Sequence, residues 1–124
     1  MKKTLIITAI LLLVSCFGFA QTTKKVVEQK QKVTFIELGS VRCIPCQKME
    51  VVLEDIRKEY PKDVKVIFHD VWTDAGKPYA EQYGVSSIPT QVFLDENGVE
   101  YFRHVGYFPK EELVKILKQK SVKE

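Results

Sequence analysis

Two cysteines with two residues between them, Cys43 and Cys46 in Val41-Arg42-Cys43-Ile44-Pro45-Cys46, hold the clearest chemical potential in this chain. A bridge between them closes only a four-residue ring, which constrains the unfolded chain little, so a purely structural disulfide gains little here. Zinc is the other chemistry this spacing serves, and a structural zinc needs four ligands. Beyond the pair, the chain after its leader offers only His69 and His104, both in strand-like runs and too far off to complete a compact zinc module. Redox chemistry is the remaining use of the pair. Cys43 falls between the end of a strand and the first turn of a helix, where free N–H groups and the helix dipole favour thiolate over thiol. Arg42 adds a neighbouring cation, and Pro45 suits an early helical position. Cys46 lies one helical turn on, on the same face. These placements assign Cys43 as the exposed nucleophile and Cys46 as the more buried resolving thiol.

The elements that must position this pair follow from periodicity. Val33 to Leu38 reads as a strand. Met49, Val52, Leu53, Ile56 and Tyr60 recur at helical spacing until Pro61. Val64 to His69 is β-branched and aromatic, a second strand. Asp74 is expected to cap a short helix with Pro78 in its first turn, ending at Gly84. Thr90 to Leu94 is a third strand, and Asp95-Glu96-Asn97-Gly98 turns into a fourth at Val99 to Val105. Pro109 opens a last helix with Leu113, Ile116 and Leu117 on one face. The order β-α-β-α-β-β-α predicts a three-layer α/β sandwich: a central sheet of about four strands, helices on both faces, parallel pairing through the crossovers and an antiparallel terminal hairpin.

Composition narrows the function. The 124 residues are 45% hydrophobic and 28% charged, which supports one folded domain and excludes a disordered chain. Once Lys2 and Lys3 are set aside, residues 21–124 carry 17 bases against 16 acids, so no basic surface argues for nucleic acid. Residues 1–20 have the layout of a secretory signal: Lys2-Lys3, an apolar run from Leu5 to Val14, then small residues at Ser15, Gly18 and Ala20. That run is about half of the ~20 residues needed to span a bilayer. Two outcomes stay open. Cleavage after Ala20 releases a soluble protein, whereas Leu13-Val14-Ser15-Cys16 has the form of a lipobox in which Cys16 carries lipid. Either way the protein is expected in the periplasm or cell envelope of a bacterium, where disulfide chemistry operates. The expected organisation is a leader (1–20), a polar tether (21–31), a folded domain (32–120) and a short tail (121–124).

Three marks in order resemble the thioredoxin superfamily: the strand-Cys-x-Pro-Cys-helix unit from Phe35 to Glu59, Gly84-Val85-Ser86-Ser87-Ile88-Pro89-Thr90, and Asn97-Gly98 followed by Gly106. The resemblance covers residues 32–120 and implies a thioredoxin-like fold. It implies that Pro89 is a cis-proline packed against the cysteines and that the Ile88 backbone pairs with an extended substrate segment. Glu37, six residues before Cys43, matches a buried acid that relays a proton to the second thiol. Arg42 and Ile44 replace the family's usual Trp and Gly beside the cysteines, so they are expected to bear on substrate binding and specificity. Trp72 and Tyr79 lie near the loop that follows the second strand. One reading has both line the surface around the dithiol; the favoured one puts Tyr79 in the core, with Trp72 half-buried. The implied activity is thiol-disulfide exchange through a redox-active Cys43–Cys46 pair. It needs no organic cofactor and no metal. The implied partners are client proteins with disulfides and a membrane electron donor or other redox partner, and the membrane itself is a partner only if Cys16 is lipidated. The alternative is a thioredoxin-like binding module or chaperone with a regulatory disulfide.

Overall fold

In a computed structural model, residues 30–124 are described. The leader at 1–20, Cys16 and most of the tether lie outside them. Four strands, β1 (Val33–Gly39), β2 (Val64–Asp70), β3 (Thr90–Asp95) and β4 (Glu100–Val105), form one sheet in the order β2-β1-β3-β4. Three helices, α1 (Ile44–Glu59), α2 (Lys77–Gln82) and α3 (Lys110–Lys118), complete the domain.

Both faces of the sheet are covered, which is why β1 is buried nearly throughout and shows no alternation. Val33, Phe35 and Phe93 pack under Met49, Leu53 and Ile56 of α1 and Leu113 and Leu117 of α3. On the other face Ile36, Leu38 and Val92 meet Ala80 and Tyr83 around α2. Phe35 and Phe93 stack at 4.7 Å between centroids, an aromatic contact worth about 1 kcal/mol beyond its buried area. Met49, Leu53 and Ile56 repeat at three and four residues, placing one stripe of α1 on the sheet.

Three expectations are corrected. β1 pairs parallel with β2, but β3 runs antiparallel to β1 and then pairs antiparallel with β4. An apolar strand buried on both faces carries no signal of direction, so the parallel assignment failed at β3. Asp74 does not cap α2. Gly76 stands at the N-cap without a side-chain bond, and a Cβ there would lie 1.8 Å from the Asp70 carbonyl oxygen, so the loop's close backbone approach selects glycine. Residues 121–124 do not trail away. Val122 is buried, and the Lys123 N–H donates to Asp63 Oδ2 at 2.9 Å, on the carboxylate that also binds Lys32 Nζ at 2.9 Å.

Candidate active site

The dithiol sits where β1 hands over to α1. After Gly39 the chain turns through Ser40, whose carbonyl accepts the Cys43 N–H at 3.1 Å and whose hydroxyl accepts the Arg42 N–H at 3.3 Å. Asp70, at the end of β2, receives the Val41 N–H at 3.2 Å and the Trp72 N–H at 3.0 Å, tying this turn to the loop beside it. Burial pushes the Asp70 carboxyl up, but those two N–H groups, the Ser40 hydroxyl and the Arg42 charge outweigh it and hold it below its usual value. Cys43 is the N-cap of α1, Pro45 lies in the first turn, and no acid neutralises that end of the helix.

Cys43 and Cys46 are joined as a disulfide, with Cα atoms 5.2 Å apart. Cys43 is 8% exposed and Cys46 4%, so in the oxidised form both are buried, correcting the expectation of an exposed Cys43. Ile44 at 70% and Val41 at 64% are the open residues, flanking the pair with apolar surface. Arg42 is exposed, its guanidinium 5.8 Å from the Trp72 ring centroid. Trp72 is itself 53% exposed and lines a groove with Val71, Ala80 and Val85 to Ile88. Tyr79 is not in the core, correcting the expectation. It lies at the surface with its ring stacked on His69 at 3.6 Å.

The Ile88–Pro89 peptide is cis. Thr90 Oγ1 donates to the Ser87 carbonyl at 2.6 Å, and the Pro89 carbonyl accepts the Gly106 N–H at 2.8 Å, placing exposed Val105 beside this segment. The Ile88 backbone has no hydrogen-bond partner among the described residues, which leaves it open to an added strand.

Beneath the disulfide lies Glu37, 0% exposed, with neither carboxyl oxygen hydrogen-bonded among the described residues. Alternation along β1 puts it on the α1 side with Phe35. A Cβ added to Gly39 would stand 3.2 Å from Cys46 Sγ and 3.5 Å from Glu37 Oε1. The missing side chain therefore lets the resolving sulfur and the carboxyl occupy neighbouring space. Burial pushes Glu37 up to about 8; the facing Gln91 amide pulls it down in part, and Glu50 pushes it further up. A second recess, lined by Ser40, Val41, Cys46, Gln47, Glu50 and Phe68, reaches Cys46.

Sequence reasoning missed Gly39, Asp70 and Gln91. Gly39 carried one legible signal, its place at the end of the first strand just before the cysteines, and Asp70 another, its place at the end of the second. Gln91 carried another, a lone amide inside the apolar run Thr90 to Leu94.

Comparison with known proteins adds a family. The pattern of the thioredoxin-like domain matches residues 19–121. Thioredoxin of Chlamydia caviae is 36% identical over 104 residues, covering 78% of this chain and 98% of its own. Thioredoxin of Bacillus subtilis is 32% identical over 90 residues, covering 73% and 84%. Among solved structures, the exposed lipoprotein thioredoxin of Streptococcus pneumoniae superposes with a TM-score of 0.64 at 23% identity, over 73% of this chain and 87% of that one.

Proposed function

The chain belongs to the thioredoxin family as a protein-disulfide oxidoreductase, and we propose that it works in the bacterial envelope, reducing or exchanging disulfides of exported client proteins. The observation that carries this reading is the Cys43–Cys46 pair at the start of α1 with a buried carboxyl behind it. The leader with Lys2-Lys3 and its apolar run supports export. The exposed pneumococcal lipoprotein of the same fold is compatible with a lipidated Cys16. Among the described residues no helix is long and apolar enough to cross a membrane.

In the reduced protein, the Cys43 thiolate attacks one sulfur of a client disulfide. The other client sulfur leaves as thiolate and takes up a proton, and a mixed disulfide remains on Cys43. Where Glu37 is ionised, Cys46 then passes its proton to it and attacks the Cys43 sulfur. The second client thiolate leaves, so two electrons reach the client and Cys43–Cys46 is oxidised. A carboxyl held near 8 is close to an ordinary thiol at about 8.5, so proton exchange between them costs little in either direction. A membrane electron donor or other redox partner returns the electrons.

An extended client segment pairs with the Ile88 backbone next to Pro89. Exposed Val41, Ile44, Trp72 and Val105 give its side chains apolar surface, and Arg42 gives them one cation. The test is trapping in cells. Cys46→Ser should accumulate mixed disulfides with envelope proteins through Cys43, and Cys43→Ser should accumulate none. The same adducts from both variants, or adducts only with cytoplasmic proteins, would overturn the reading.

A further inference from the structure

The stretch Thr90 to Phe93 is buried at every position, and Gln91 within it is 0% exposed. Neither its amide oxygen nor its amide nitrogen has a hydrogen-bond partner among the described residues. A leucine of similar size would avoid that cost, so a buried unpaired amide calls for a functional explanation. Gln91 is the register partner of Glu37 on β1, whose carboxyl is equally buried and unpaired.

We propose that Gln91 is the positioning residue of Glu37, a buried amide that faces the carboxyl across the β1–β3 ladder and, by turning over, serves either of its protonation states. The amide carries two donors and an acceptor. With its NH₂ toward Glu37 it donates to the carboxylate; with its carbonyl there it accepts from the acid. A lysine at this place would hold Glu37 ionised and a leucine would hold it protonated, whereas an amide leaves both states within reach.

The other groups packed around Glu37 do not supply this. From β2 its register partner is Phe68. From β4, His104 pairs with Gln91, but its ring stacks on Phe108 and its Nε2 lies 3.2 Å from the Tyr107 carbonyl. From α1 come Cys46 and the Glu50 charge, which opposes ionisation, and α3 buries Leu113 and Leu117 over this face. The direction of each influence agrees: burial and Glu50 raise Glu37, and Gln91 lowers it.

The inference rests on the reading of Glu37 as acceptor of the Cys46 proton, and the experiment separates the two. Glu37 is titrated directly in the full-length oxidised protein, by the carboxyl carbon resonance in ¹³C-labelled samples from about pH 5 to about pH 10. The pH profile of the resolving step is measured beside it. Gln91→Met, which keeps size and removes the amide, should raise the Glu37 midpoint by about one pH unit, the effect of losing a dipole that favours the ion. Gln91→Asn keeps an amide and should stay nearer to wild type. Gln91→Leu is read alongside, so one apolar variant that misfolds does not remove the comparison. An unmoved midpoint in the apolar variants, or an equal displacement in Gln91→Asn, overturns the proposal. A raised midpoint with an unmoved resolving profile upholds Gln91 and removes Glu37 from the proton path.

Discussion

Glu37→Gln should make the oxidised protein more stable, by an amount that depends on pH. Its carboxyl is raised from 4.5 to about 8, chiefly by burial. Below pH 4.5 both folded and unfolded chains hold the proton, and the group has no effect on folding. Between the two values the unfolded chain releases the proton while the folded one keeps it, so rising pH favours unfolding. At 1.36 kcal/mol for each pH unit, the cost is about 3 kcal/mol at pH 7 and about 5 kcal/mol at pH 9. Glutamine keeps the shape and cannot ionise, so the variant escapes this cost. Denaturant unfolding of oxidised wild type and Glu37→Gln at pH 4, 7 and 9 reads it directly. The gap should widen from near zero, or from a constant packing offset, by about 5 kcal/mol. A gap that stays flat with pH would refute the reasoning, because it would mean that Glu37 titrates as an ordinary solvated acid.

Three further outcomes follow from the same geometry. Glu37→Gln should slow turnover that depends on the resolving step by ~10²-fold, the low end for a lost general base, in a steady-state reductase assay. In the reduced protein Cys43 should alkylate well before Cys46 at neutral pH, read by peptide mass after timed iodoacetamide. Gly39→Ala sets a methyl 3.2 Å from Cys46 Sγ and 3.3 Å from its Cβ, and should destabilise the oxidised protein by about 1–3 kcal/mol in denaturant unfolding.

Much of this architecture was legible in the sequence because local signals agreed with the fold. Pro61 ends the long helix, with Tyr60 as its C-cap, and Gly98 takes φ +77° in the hairpin turn between β3 and β4. Cys43 at the head of α1 followed from a strand, a short turn and an early Pro45. The failures share a cause, that tertiary contacts decided what local pattern could not. The direction of β3 shows only in its antiparallel pairing with β1 and β4. Burial of both faces of β1 erased the alternation that would have told where Glu37 points. Gly76 rather than Asp74 heads α2 because the Asp70 carbonyl leaves no room for a side chain. Tyr79 stacks on His69 near the surface instead of entering the core, a contact between two elements that local pattern does not show. Gln91 shows its meaning only once β1 and β3 are paired and Glu37 lies opposite.

The central claim is that Cys43 and Cys46 cycle, and counting turnovers tests it most directly. Purified protein is mixed in small amount with a large excess of a disulfide-linked reporter protein and dithiothreitol, and opened disulfides are counted per molecule. Many disulfides opened by each wild-type molecule, with Cys43→Ser no faster than dithiothreitol alone, is the expected result. At most one disulfide per molecule, or a Cys43→Ser variant as active as wild type, would contradict it.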